Sequence, residues 1–262
     1  MTRKATLSPS KITTYLACPV KYRWTYIDAR GKWFLRAKNY YSFGLSLHSA
    51  LQRFHDSNDL GVTTTEETIA SLEENWVSAG YGSPEEAAEA LAEGREIVSQ
   101  YLESAAVAGS EVPPLFVEKQ LSLDMGDFTL VGRVDRVDEL PDGTLEIIDY
   151  KSGSRFSEEE LLQDVAMNSY HLLVRKLMPD RRILLTIHML RAGERITVEQ
   201  TTEQLDQFAE DVKAIGIEIL DREYHEIDPL PKALCNFCDF LPLCERHEEF
   251  RESFHQLRQS HS

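Results

Sequence analysis

Val131-Gly-Arg-Val-Asp-Arg-Val-Asp-Glu-Leu-Pro-Asp-Gly-Thr-Leu-Glu-Ile-Ile-Asp-Tyr-Lys151 is the stretch whose reading decides the fold. Two alternating runs flank Pro141-Asp142-Gly143, a tight-turn signal, so the stretch reads as two antiparallel strands. Successive side chains on a strand point to opposite faces, which puts Asp149 and Lys151 on one face and Tyr150 on the other. Asp135 and Asp149 each lie seven residues from Asp142. A three-residue turn centred on Asp142 sets the two aspartates directly opposite each other. A two-residue turn at Asp142-Gly143 sets them one residue out of register. Like charges facing each other across a strand pair are destabilising unless something positive lies between them. Lys151 and a divalent cation would serve, and two solvated aspartates on a polar face are the plain alternative.

Working outward, residues 116–121 read as a strand before the hairpin and carry Glu118. After it, Ser157-Glu-Glu-Glu160 is a capping box. It opens one helix whose buried stripe is expected to include Leu161, Leu162, Val165, Tyr170, Leu173 and Leu177. Residues 182–190 read as a buried strand, 195–200 as its neighbour and 201–220 as a helix. The second half is therefore mixed α/β, an antiparallel meander feeding a crossover helix.

The first half reads as helical. Ser8-Pro9 is a helix-start signal. Tyr15, Tyr22, Trp24 and Tyr26 then interleave with Lys21, Arg23 and Arg30, a pattern that suits either core packing or base stacking. Residues 44–55 form a further helix, with Leu47, Leu51 and Phe54 as its apolar stripe and His48 and His55 on a neighbouring face. Residues 64–104 read as two acidic amphipathic helices, the first ending near Gly80, with ten glutamates against Arg95. A solvated lobe without chemistry is expected there. Residues 105–114 have the composition of a linker.

The length of 262 residues suits one domain with additions or two small ones. The net charge of −16 argues against indiscriminate binding to nucleic acid, but residues 1–40 alone carry +8. Such an arm can hold a phosphate backbone locally. The opening residues lack an apolar leader and no later run is long enough to span a bilayer, so a cytoplasmic setting is expected. Of the four cysteines, Cys235-x2-Cys238-x5-Cys244 sit close together and Cys18 is remote. Four thiolates around a CxxC suit an iron–sulfur cluster or zinc, and spacing does not separate the two. Ligation by Cys18 would clasp the chain ends together.

Taken together these motifs resemble the PD-(D/E)XK nuclease superfamily, in particular its RecB-like exonuclease branch with a four-cysteine iron–sulfur cluster. The nuclease domains of AddB and the CRISPR-adaptation nucleases belong to the same group. The resemblance rests on residues 7–22 as the N-terminal signature, Gly44-x3-His48, Gly132-Arg-Val-Asp135, Asp149-Tyr-Lys151 and the C-terminal cysteines. It implies a restriction-endonuclease-like core with an N-terminal helical region and a C-terminal cysteine cluster. The implied divisions are 1–110 (helical, with His48 and Cys18), 111–225 (nuclease core) and 226–262 (cysteine cluster and a helix packing back on the N-terminus). By resemblance, His48, Asp135, Asp149 and the Tyr150 carbonyl hold Mg²⁺ or Mn²⁺, Lys151 orients the attacking water, and Glu118 takes a second-metal or outer role. Cys18, Cys235, Cys238 and Cys244 hold a [4Fe-4S] cluster, with zinc as the alternative. Relatives often carry Gln four residues before the Tyr of the crossover helix. Here Ala166 stands there, and Gln163, one turn back, joins Tyr170 as a candidate DNA contact.

The implied activity is metal-dependent DNA exonuclease action in recombination, repair or spacer acquisition. The partners implied are DNA, single-stranded or at ends, and a helicase or CRISPR partner, with no membrane. The competing reading is a non-catalytic DNA-binding or helicase-associated scaffold with a structural iron–sulfur or zinc site.

Overall fold

The computed structural model describes residues 4–56, 64–104, 113–153 and 155–259; the expected linker at 105–114 falls almost wholly outside them. The chain divides into two compact units, residues 1–9 with 37–213 and residues 10–36 with 214–262.

The first unit is built on a six-stranded sheet in the order β1-β3-β4-β5-β6, with β2 pairing the remaining edge of β3. Strands β2 (Phe116–Asp124), β3 (Phe128–Glu139) and β4 (Leu145–Lys151) form the expected antiparallel meander. The short β1 (Ala5–Leu7), which no alternation announced, lies parallel to the start of β3. Strands β5 (Ile183–Met189) and β6 (Glu194–Val198) extend the sheet, β5 parallel to β4 and β6 antiparallel to β5. The fold is thus the mixed α/β, restriction-endonuclease-like arrangement expected.

A parallel neighbour requires a crossover, and the chain makes it with two helices. The Ser157 capping box forms and starts α6 (Glu158–Gln163), as the residues predict. The single helix expected there instead breaks at Asp164. This residue leaves the helical conformation at φ −69° and ψ 119°, and its carboxylate caps the Met167 N–H of α7 (Val165–Leu177). An aspartate competes for backbone donors better than it propagates a helix. The stripe shifts accordingly. Leu161, Met167 and Val174 are buried against Val134, Ile147, Leu185 and Ile187, and Leu173 is buried too, whereas Leu177 is exposed.

On the other face of the sheet lie α3 (Asn39–His55), α4 (Thr65–Glu74) and α5 (Pro84–Glu103). Leu47 and Leu51 of α3 pack with Leu72, Ile97, Val98, Tyr101 and Leu102 around Ile148 and Tyr150 of β4. The expectation of a solvated lobe over 64–104 is corrected here: its glutamates are solvated, but one face of each helix closes the core. The first of the pair also ends at Glu74, short of Gly80.

The second unit begins with α1 (Pro9–Ala17) and α2 (Pro19–Tyr22), followed by a π turn at Arg23–Ile27 and a 3-10 turn at Ala29–Trp33. Its later part holds the end of α8 (Thr202–Asp221), α9 (Leu241–Cys244) and α10 (Glu248–Gln259). Tyr15, Tyr22 and Tyr224 are buried against one another, with Tyr22 and Tyr224 stacked at 5.4 Å between centroids. For Tyr15 and Tyr22 this decides between the two readings: they are core residues. Among the described residues no helix is long and apolar enough to cross a membrane.

Candidate active site

The hairpin turn is the three-residue form. Leu140 N–H donates to Thr144 O at 2.8 Å, Gly143 N–H to Leu140 O at 2.8 Å, and Thr144 N–H to the Asp142 carboxylate at 2.9 Å. Gly143 sits at φ +84°, a conformation that glycine enters without steric penalty. Arg136 therefore pairs with Ile148, and the same register carried one residue further sets Asp135 across from Asp149.

Both aspartates have cationic neighbours. Asp135 Oδ2 accepts the Tyr150 N–H at 3.0 Å and lies 3.3 Å from His48 Nδ1. His48 Nε2 donates to the Tyr150 carbonyl at 2.8 Å. Lys151 Nζ is 2.7 Å from Asp149 Oδ2, yet that buried oxygen has no hydrogen-bond partner of good geometry. Glu118 enters from β2, where its backbone takes the left-handed φ of +48°. Such a conformation costs about 1 kcal/mol or more for a non-glycine residue. Its carboxylate also holds Arg133 at 2.6 Å. Ligand atoms of His48, Glu118 and Asp135 all lie within 4.8 Å of one another.

This crowding is visible in the acid–base behaviour. Burial raises the pKa of Asp149, and Asp135 adds to the rise while Lys151 opposes it. Burial also raises Glu118, reinforced by Asp135. Burial alone would lower His48, but Asp135, Asp149 and the Tyr150 carbonyl overcome it and lift the imidazole to about 9. Burial likewise opposes the charge on Lys151, and Asp149 outweighs it, so the ammonium persists. Three carboxylates, one imidazole and one backbone carbonyl form a donor set that suits a hard divalent cation.

Tyr150 faces the opposite way, into a closed polar network. Its hydroxyl is 2.8 Å from that of Tyr101, which lies 2.7 Å from His55 Nε2. Arg136 donates to both the Tyr101 hydroxyl and His55 Nε2, and holds Asp138 in a bidentate pair. Burial and Arg136 push His55 down to about 3, which leaves the imidazole neutral, and the guanidinium, able only to donate, makes Nε2 the acceptor. The proton order Tyr150 to Tyr101 to His55 follows. Tyr101 had no sequence signal, because its role depends on α5 packing on β4.

All of the candidate metal donors except Asp149 line a cleft of about 620 Å³ whose walls also include Tyr40, Tyr41, Leu45, Arg133 and Arg191. Tyr170 packs beside it: a Cβ on Gly132 would stand 3.2 Å from the Tyr170 ring and 2.6 Å from a Leu173 methyl, so a larger residue there would require both side chains of α7 to shift. Burial raises the Tyr170 hydroxyl, with Asp149, Asp135 and Asp164 adding to it. Gln163 is not among the residues lining this cleft; it borders a separate depression with Asn168, Gln200 and Gln207.

In the second unit the four cysteines are free thiols within electrostatic reach of one another. Cys18 caps α2, accepting the Lys21 N–H at 3.4 Å, and Cys235 Sγ accepts the Lys232 N–H at 3.4 Å. Lys232 Nζ reaches the Ala17 carbonyl at 2.7 Å, which ties the two cysteine-bearing segments. Cys235 and Cys244 lie in one cluster with the stacked Phe250 and Phe254. Burial, followed by the other three thiols, pushes Cys244 up to about 12.

A family model described as the PD-(D/E)XK nuclease superfamily matches residues 6–245. No curated protein matches the chain. Among solved structures, the crystal structure of SSO0001 is 10% identical, covering 93% of this chain and 87% of that one at a TM-score of 0.39. A protein from Eubacterium rectale, provisionally assigned as an exonuclease, is 12% identical, covering 80% of this chain and 92% of that one at a TM-score of 0.40.

Proposed function

Because the chain belongs to the PD-(D/E)XK nuclease superfamily, we propose that it is a metal-dependent DNA exonuclease of the RecB-like branch, acting in recombination, repair or spacer acquisition. Membership carries the coarser statement, a nuclease of a superfamily that uses divalent metals and takes DNA. The observation that carries the finer reading is the meeting of His48, Glu118 and Asp135 within 4.8 Å in a cleft that also holds Lys151, with Asp149 directly beside it.

In this reading Asp135, Asp149, His48 and the Tyr150 carbonyl hold Mg²⁺ or Mn²⁺, and Glu118 takes a second or outer position. The cation supplies Lewis acidity toward a phosphodiester. Lys151 stays an ammonium and acts as a donor, orienting the attacking water and stabilising charge that builds on the phosphate oxygens. Arg133 at the cleft wall attracts the DNA backbone. Tyr170 borders the same site and is a candidate contact to DNA; Gln163 contributes only if the strand extends beyond the cleft.

Cys18, Cys235, Cys238 and Cys244 hold a [4Fe-4S] cluster in this reading. Anaerobically purified protein is then brown and contains acid-labile sulfide; colourless protein carrying zinc would remove the cluster from the proposal. The divisions at 110 and 225 and the cytoplasmic setting belong to the same reading.

The test is cleavage of end-labelled single- and double-stranded DNA with Mg²⁺ or Mn²⁺ by the wild type and by Asp149→Ala. Loss of cleavage in the variant is expected. Cleavage that survives the substitution would sink the site assignment, and inactivity of both proteins would favour the scaffold.

A further inference from the structure

The tyrosines of this protein range from buried to well exposed. Tyr15, Tyr22, Tyr101, Tyr150 and Tyr224 are buried. Tyr40 and Tyr41, at the start of α3, are 60% and 69% exposed, and Leu45 one turn later is 62% exposed. Leaving such surface in water forgoes the stabilisation of burying it. All three line the cleft that contains Asp135 and Lys151.

Helix geometry makes the placement more specific. Tyr41, Leu45 and His48 recur at i, i+4 and i+7, so they share one face of α3. Seven residues rise about 10 Å along a helix, roughly three stacked base steps at 3.4 Å each. The tyrosine rings lie 4.5 Å apart and tilted at 43°. Around them Arg133, Lys151 and Arg191 line the same walls, ion-paired with Glu118, Asp149 and Glu93 at 2.6, 2.7 and 2.6 Å. Arg191 is held over the Phe43 ring at 4.5 Å and donates to the Ser152 carbonyl at 3.0 Å, so this cation has a defined position.

We propose that Tyr41, with Tyr40 and Leu45, forms a nucleobase-stacking subsite that receives an unpaired DNA strand and leads its backbone toward Asp135 and Asp149. The proposal rests on the nuclease reading and deepens it by naming the side chains that take the bases of the strand. Aromatic faces beside basic side chains suit a single strand, whose bases are free to stack on protein. Bases in a duplex already stack on their neighbours, so paired DNA gains nothing from this surface. The subsite tolerates any sequence, since every base has a π face.

The test compares binding of a fluorescent oligo-dT with that of the same strand carrying abasic residues at its last three positions, in EDTA so that no cleavage occurs. Wild type is expected to bind oligo-dT at least about fivefold more tightly than the abasic strand. Tyr41→Ala should lose that preference while binding the abasic strand as before, and Tyr41→Trp should retain it. Equal loss on both strands, or no loss on either, would overturn the subsite. Both tyrosines are exposed, so thermal unfolding of Tyr41→Ala should match wild type. A separate cleavage assay with Mn²⁺ tells the two readings apart. Protein that cleaves DNA without preferring bases loses the subsite alone, whereas protein that prefers bases and never cleaves loses the nuclease reading alone. Failure to bind either strand removes the subsite.

Discussion

The two faces of β4 meet the same problem, buried polar groups, in opposite ways. On one face the buried Asp149 carboxylate is held by the Lys151 ammonium at 2.7 Å in a geometry poor for a hydrogen bond. On the other, Tyr150, Tyr101, His55, Arg136 and Asp138 pair with one another at ordinary distances. A satisfied network rigidifies a core, while an unsatisfied buried group costs about 1–3 kcal/mol. The contrast shows where the molecule keeps capacity for an incoming ligand and where it keeps shape. It also links the two, because Tyr150 is held by its hydroxyl on the closed face and offers its carbonyl to His48 on the open one.

The largest effect should come from breaking the open face. Asp149→Asn should lower DNA cleavage on the order of 10³-fold while leaving the urea unfolding midpoint unchanged or slightly raised, since a buried carboxylate whose charge burial disfavours is removed. A comparable loss of stability would mean that the open face is structural instead.

A smaller effect tests the link between faces. Tyr101→Phe or Tyr150→Phe leaves the donors in place but loosens the carbonyl behind them. Outer-shell partners of this kind are worth about 10–100-fold in metal affinity, so Mn²⁺ binding followed by calorimetry should weaken by a factor in that range. Unchanged affinity would separate the closed network from the metal site.

The smallest effect distinguishes the faces by pH. His48 is lifted to about 9, so in metal-free protein its stabilising contribution is complete below about pH 6.5 and is lost as pH rises through 9. His55 and His188 are lowered, mainly by burial, to about 3 and about 4. Their unfolded forms take up protons near 6.5, so their contribution is present above that pH and is lost as pH falls. Urea unfolding in EDTA should show His48→Gln flattening the alkaline limb and His55→Gln the acid limb, each by about 1–3 kcal/mol. The reverse assignment of limbs would show that the charges of the two histidines are misread.

Much of this architecture is legible in the residues because it is local. The symmetry of Asp135 and Asp149 about Asp142, the capping box at Ser157 and the strand alternation all depend on neighbours in sequence. What was not legible depends on distant packing. The pattern of 64–104 shows its glutamates plainly but not that Tyr101 reaches Tyr150. Asp164 looks like one polar residue within a helical period, and only its competition for the Met167 N–H ends the helix. The cleft walls formed by Tyr40, Tyr41 and Arg191 likewise join parts of the chain far apart in sequence.

Glu118 carries a consequence of another kind. Among the described residues β2 has no strand on its outer side, and a long exposed edge is a template onto which a second chain can add. The left-handed φ at Glu118 interrupts the regular extended backbone near the start of that edge. The same distortion that aims a carboxylate into the cleft therefore makes the sheet a poor seed for aggregation.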